Sequence, residues 1–220
     1  MDSNVDEQTP EHFWEARYAD TNADTGRVWS GRVNQVLADV AAALPAGTAL
    51  DLGCGEGSDA IWLALRGWSV TAVDISSTAI ARAREAAAQA GVADGRIRWQ
   101  ARDLASWGDP GRYDLVSASF FHSPVELPRP EILSRAAGLV GPGGRMLILS
   151  HGDFPPWARD HDGHELPDHR FLTPDEEVDQ LGLDPGEWDV EIAETRPRAA
   201  TGPDGQHAVL DDVVVLLRRH

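Results

Sequence analysis

The chain has 220 residues and 42% apolar content, enough for one folded domain with a full core. Acidic residues outnumber basic ones 36 to 19, every basic residue is Arg, and the formal charge is −17, a balance that repels phosphate backbones and argues against a nucleic-acid partner. No apolar run reaches membrane-spanning length, and a single cysteine, Cys54, excludes an internal disulfide.

The first residues, Met1 to Gln8, are polar and acidic with no signal-peptide pattern, so a cytoplasmic protein is expected. Residues 1–11 read as a disordered tail. Phe13 to Leu44 reads as mainly helical, with Val33, Val36, Leu37, Val40 and Leu44 at helical spacing and Pro45-Ala-Gly47 as the stop. Strand and helix patterns then alternate. Ala49–Leu52 is a strand; Ser58–Arg66 is a helix with Ile61, Ala64 and Leu65 on one face. Ser69–Val73 is the second strand, and Ser76 or Ser77 caps a helix that runs to Gln89 and stops at Gly91. Ile97–Ala101 and Tyr113–Ala118 are the third and fourth strands, Glu131–Val140 a helix, and Gly141-Pro-Gly-Gly144 a turn into a fifth strand, Met146–Ser150.

The rhythm breaks after Ser150. Residues 151–174 are rich in His, Asp and Pro and read as an inserted loop; Thr173 caps a short helix, and Trp188–Thr195 and Ala208–Leu217 read as a terminal hairpin. The expectation is one α/β domain over 1–220: a Rossmann-like, seven-stranded, mostly parallel sheet with an antiparallel carboxyl-terminal hairpin and helices on both faces.

In an open α/β sheet, ligands bind beyond the carboxyl ends of the strands, where the strand order reverses. Gly53 and Gly55 sit at that edge, where a missing side chain admits a ligand to the backbone. Asp74 closes the second strand and can accept from both hydroxyls of a ribose. Asp103, after the third strand, can accept from an adenine amino group, and Asp51 can orient the turn or meet an ammonium group. A nicotinamide dinucleotide would want G-x-G-x-x-G, whereas the chain has Gly53-x-Gly55-x-Gly57 with Ser at 58.

These residues resemble the class I S-adenosylmethionine-dependent methyltransferases. Asp51-Leu-Gly-Cys-Gly55 is similar to their first motif, Val73-Asp-Ile75 to the second and Arg102-Asp-Leu104 to the adenine motif. Tyr113-Asp-Leu-Val116 is similar to the strand-four motif, and Gly141-Pro-Gly-Gly144 to the turn before strand five. The likeness covers roughly residues 45–150 as the cofactor-binding core. Phe13-Trp-Glu-Ala-Arg-Tyr18 and Trp29-Ser-Gly31 are similar to the thiopurine and tellurite-resistance group, whose first helical segment lids the cofactor; here that segment is 12–44. Arsenite methyltransferases fit poorly, because they need several cysteines.

The resemblance implies S-adenosylmethionine as cofactor, S-adenosylhomocysteine as product and a small-molecule acceptor, with the protein a monomer or homodimer. It implies cofactor contacts at Asp51, Gly53, Gly55, Asp74, Ile75, Asp103, Leu104 and Ser119. Trp29 and Tyr18 face the sulfonium, and Arg17 the cofactor carboxylate, or else they pack the first helix on the sheet edge. His122, after strand four, is the candidate catalytic base, or else a loop histidine that binds substrate or bonds to backbone. Phe120 and His151 are candidate substrate contacts, and residues 151–174 lie on the substrate side, ahead of the helix and hairpin of 175–220. His161, His164 and His169, with their neighbouring aspartates, match no standard zinc spacing, so no metal is expected. The alternatives are a protein or RNA methyltransferase, a nicotinamide-dependent oxidoreductase, and a catalytically silent cofactor-binding protein.

Overall fold

The structure is a computed structural model that describes residues 9–20, 27–158, 170–202 and 204–220. Helices α1 (Pro10–Ala19) and α2 (Gln35–Ala42) lead into β1 (Thr48–Leu52), α3 (Ser58–Leu65), β2 (Ser69–Asp74), α4 (Ser77–Gln89) and β3 (Ile97–Ala101). β4 (Tyr113–Ser119), α5 (Arg129–Ala137) and β5 (Val140–His151) follow, then α6 (Pro174–Asp179), β6 (Trp188–Thr201) and β7 (His207–Arg219).

The seven strands form one sheet in the order β3-β2-β1-β4-β5-β7-β6. Neighbours from β3 to β5 pair in parallel, and β7 runs antiparallel between β5 and β6. The order reverses between β1 and β4, and this places the ligand crevice at their carboxyl ends. Two cores flank the sheet. On one face α2 and α3 set Leu37, Ala41, Ala60 and Leu63 against Ala49, Leu115, Leu147 and Val214. On the other, α5 contributes Ile132 and Leu133, and Leu181 packs beside them, against Leu50, Val116, Ile148 and Val215.

Several boundaries differ from expectation for local reasons. Thr9 caps α1, accepting from the His12 N–H at 3.3 Å, and Pro10 enters the first turn, so residues 9–11 belong to the helix start rather than to a tail. Among the described residues of the segment 12–44, α1 and α2 are helical and 27–34 are not, and Asn34 starts α2 by accepting from Val36 N at 2.8 Å. In α3 the buried positions are Ala60, Leu63 and Ala64, while Leu65 is exposed. Of the two serines, Ser76 caps α4, accepting from Ala79 N at 3.0 Å.

α5 begins at Arg129 and ends at Ala137, because Val140 already pairs with Tyr113. The Gly141–Gly144 segment is therefore an irregular part of β5, spanned by a register shift opposite Tyr113 and Leu115. His151 ends β5 and Pro174 starts α6, so both end positions of the expected 151–174 loop belong to regular elements. β6 continues past Pro197 to Thr201; as the sheet's edge strand it tolerates a residue without an N–H.

Candidate active site

Asp74 and the turn after β1 organise the crevice. Gly53 and Gly55 hold φ of +65° and +52°, a left-handed bend that glycine adopts freely. The Asp74 carboxylate accepts from Gly55 N at 2.8 Å and from Ser76 N at 2.9 Å, tying the bend to the start of α4. Burial pushes the Asp74 carboxyl up to about 6, against these two hydrogen bonds. Arg102 N donates to Asp74 O at 2.8 Å, drawing the end of β3 alongside.

Asp51 lies inside β1, one residue before its end, and is 2% exposed. Burial and the nearby Asp59 carboxylate hold its carboxyl well above the ordinary range, and burial raises Asp59 as well. Burial and then the Asp74 charge likewise raise the Cys54 thiol, which keeps it protonated and unreactive. Two buried oxygens, Asp51 Oδ2 and Ser119 Oγ, have no hydrogen-bond partner among the described residues. Clustered acids with an unsatisfied buried oxygen suit a cationic ligand that brings its own N–H and O–H donors. The side-chain-free bend beside them lets neighbouring groups approach its backbone closely.

The amino-terminal segment closes over this bend. A Cβ added to Gly55 would lie 2.9 Å from Tyr18 Oη and 3.2 Å from Trp29 Nε1. Trp29 Nε1 donates to Tyr18 Oη at 2.9 Å, and Tyr18 is 3% exposed. Burial and then the Asp74 charge push the Tyr18 hydroxyl far above its usual range, so it stays protonated. Buried Glu56 fastens the segment from below, accepting from Val28 N and Trp29 N at 3.1 Å each and from Arg82 Nη1 at 3.3 Å. Glu15 accepts from the Ser77 and Thr78 amides, so α1 docks on the positive start of α4.

The other side of the crevice is aromatic. Phe120 follows β4 with φ of +51°, a left-handed conformation that strains a residue with a Cβ by about 1–3 kcal/mol. Its ring stacks on His151 at 4.4 Å between centroids, and His122 lies 5.8 Å from His151. Burial lowers the His151 pKa, opposed by Asp212 and reinforced by Arg198, so its imidazole is neutral near neutral pH. Phe121 turns to the opposite face, against the core of α5, and a Cβ on Gly53 would meet its ring at 2.6 Å.

Beneath this loop lies a buried ion pair. Arg129 donates from Nε to Phe121 O at 2.9 Å, from Nη1 to Glu177 at 2.9 Å, and from Nη2 to Ser150 Oγ at 2.8 Å and Glu177 at 3.0 Å. Ser150 and Gln180 also donate to Glu177. One guanidinium thus joins the loop after β4, the end of β5 and α6, and fixes the segments carrying His122 and His151 relative to each other.

The crevice accordingly brings together Asp51, Gly53, Gly55, Asp74 and Ser119 with Trp29 and Tyr18, and at its other side Phe120, His122 and His151. Ile75 is half-buried after β2, between Asp74 and the α4 cap. Leu104 is buried; Asp103 is exposed and accepts from Ala105 N at 2.8 Å, in a turn beyond β3. Arg17 is exposed in the last turn of α1, and no hydrogen bond or ion pair joins it to the cluster among the described residues. His161, His164 and His169 lie outside the described residues. Sequence reasoning missed Glu56, Arg129, Glu177, Arg198 and Asp212. Glu56 stood within the glycine motif, and its side chain was the one available signal.

A family profile described as a methyltransferase domain matches residues 49–144. The chain is 36% identical over 124 residues to a ribosomal RNA small subunit methyltransferase C of Chromohalobacter salexigens, covering 53% of this chain and 36% of that protein. It is 35% identical over 117 residues to a 2-heptyl-1-hydroxyquinolin-4(1H)-one methyltransferase of Mycobacteroides abscessus, covering 50% and 49%. The chain thus spans less than half the length of these curated relatives. Among solved structures, one from work on the conversion of a disulfide bond into a thioacetal group during echinomycin biosynthesis superposes with a TM-score of 0.71 at 27% identity, covering 95% of this chain and 92% of the other. Structures of the same fold hold S-adenosylmethionine or S-adenosylhomocysteine. Residues 49–144 thus match a methyltransferase domain, and that match together with these structural neighbours supports a class I methyltransferase dependent on S-adenosylmethionine.

Proposed function

We infer that the protein transfers the methyl group of S-adenosylmethionine to a small-molecule acceptor. When bound, that cofactor supplies a methyl already activated on a sulfonium. The chain's residues then align the partners, exclude water and receive a proton. Asp74 accepts from the ribose hydroxyls over the bend at Gly53 and Gly55, with Ile75, Asp103 and Leu104 around the adenine. Asp51 and Ser119 take the ammonium end, and Trp29 and Tyr18 present aromatic faces to the positive sulfur. Arg17 is the group proposed for the cofactor carboxylate, reached by a rotation of its exposed side chain.

His122, at the acceptor side, would take the proton of the acceptor's nucleophilic atom where that atom carries one. Phe120 and His151 line the acceptor side. The observation that carries this reading is the pairing of Asp74 with Gly55 N beneath the Tyr18–Trp29 pair, which builds a roofed, acidic crevice at the switch point. The roof and the charge of −17 favour a small acceptor over a polynucleotide.

The test is to incubate the protein with methyl-labelled S-adenosylmethionine and a cell extract divided into small-molecule, protein and RNA fractions. Label in the small-molecule fraction is expected. Label confined to RNA or protein, or no transfer from any fraction, contradicts the reading.

A further inference from the structure

The carboxyl edge of the sheet carries a charged aromatic surface built by the terminal hairpin. β5 pairs β7 only as far as His151↔Asp212, whereas the β6–β7 ladder continues to Thr201↔His207. The hairpin therefore overhangs the edge where the crevice opens. At the base of the overhang Asp212, 3% exposed, accepts from Arg198 Nε at 2.6 Å and Nη2 at 3.2 Å. The Arg198 side chain is 40% exposed, and its Nη1 has no hydrogen-bond partner among the described residues. Its guanidinium carbon lies 5.7 Å from the centre of the Phe120 ring, which is itself stacked on His151.

Cross-strand partners share a face, so Asp212 and His151 stand side by side, and the diagonal from Arg198 to Asp212 puts all three on that face with Phe120. A buried carboxylate here pins a half-exposed guanidinium beside two parallel rings. The Nη1 end of that guanidinium can donate to an anion, and the edges of the stacked rings can border a flat conjugated body. Charge decides the class further. In a molecule of net charge −17 an anionic ligand needs local N–H donors, and Arg198, whose charge Asp212 balances, supplies them at this edge.

We propose that the methyl acceptor is a planar aromatic acid, its ring laid against Phe120 and His151 and its carboxylate paired with Arg198. The inference rests on the methyl-transfer reading above, which makes this edge the acceptor end. A pair that only fastened the hairpin would give no preference for charge in the ligand.

The test is an NMR titration of the isotope-labelled full chain, saturated with S-adenosylhomocysteine, with benzoate, quinoline-carboxylate and indole-carboxylate, each beside its carboxamide. Each acid is expected to bind at least about tenfold tighter than its amide, and the ratio to fall to within about twofold in the R198Q/D212N double variant. Removing both charges together leaves no carboxylate buried alone, and unchanged affinity for S-adenosylhomocysteine reports that the variant is folded. Arg198→Lys, which keeps the charge and loses the planar fork, is expected to give an intermediate ratio. Acids and amides binding alike, neither binding, or a ratio that survives in the double variant overturns the inference and leaves the methyl-transfer reading standing. Failure of the wild type to bind S-adenosylhomocysteine overturns that reading, and the inference with it.

Discussion

At Asp74, burial opposes the role proposed for its carboxylate. Folding raises its pKa from 3.8 to about 6, so the native state holds a proton that the unfolded chain has released across that interval. Stability contributed by this group therefore falls as pH rises from 3.8 towards about 6, and the loss is complete above it. A ribose needs the ionised form as acceptor, so affinity for S-adenosylhomocysteine is expected to fall as pH drops through about 6. Calorimetry across that range checks this, and Asp74→Asn should flatten the profile. Asp74 was legible in the sequence, as were Gly53 and Gly55, because strand, bend and acidic residue lie within a short stretch whose chemistry is local. Arg198 and Asp212 were not: their meeting depends on hairpin register, and Pro197 disguises the strand that carries one of them.

Among the elements, two connections hold the crevice together. Glu56 fastens residues 28 and 29 over the glycine bend through two backbone amides. Hydrogen bonds to a charged group contribute about 1.5–3 kcal/mol each, so Glu56→Ala should release the segment. Faster hydrogen exchange at the Val28 and Trp29 amides is expected, with faster release of S-adenosylhomocysteine; unchanged exchange would refute the clasp. The second connection is the pair of Arg129 and Glu177, 48 residues apart in sequence. Arg129→Ala leaves a carboxylate buried without its partner and is expected to lower stability by about 3–5 kcal/mol, measured by denaturant unfolding. The R129M/E177L double variant should recover most of the stability while the loop carrying Phe121 and His122 loses its anchor. Such a pair is invisible to periodicity, since Arg129 reads as a surface residue at a helix start and Glu177 as one of three acids in a first turn.

For the whole molecule, the alternation of strands and helices announced the parallel sheet, and the apolar run of β4 announced burial on both faces. The switch point followed from the order of elements, and with it the edge proposed for the ligand. Lengths were less legible where tertiary pairing overrides local signals, as in β5, which absorbs its glycine turn, and in β6, which continues through a proline at the sheet's edge. No described helix is long and apolar enough to cross a membrane. The surface charge of −17 predicts no saturable, salt-sensitive binding to bulk RNA at low ionic strength, which a filter-binding titration checks.

The central proposal is that Asp74 holds the ribose over the glycine bend after β1. Titration of the wild type and of Asp74→Ala with S-adenosylmethionine in a calorimeter tests it most directly. The substitution is expected to weaken binding at least tenfold, about 1.4 kcal/mol, with the fold intact. Equal affinities in the two proteins, or no binding to the wild type, would contradict it.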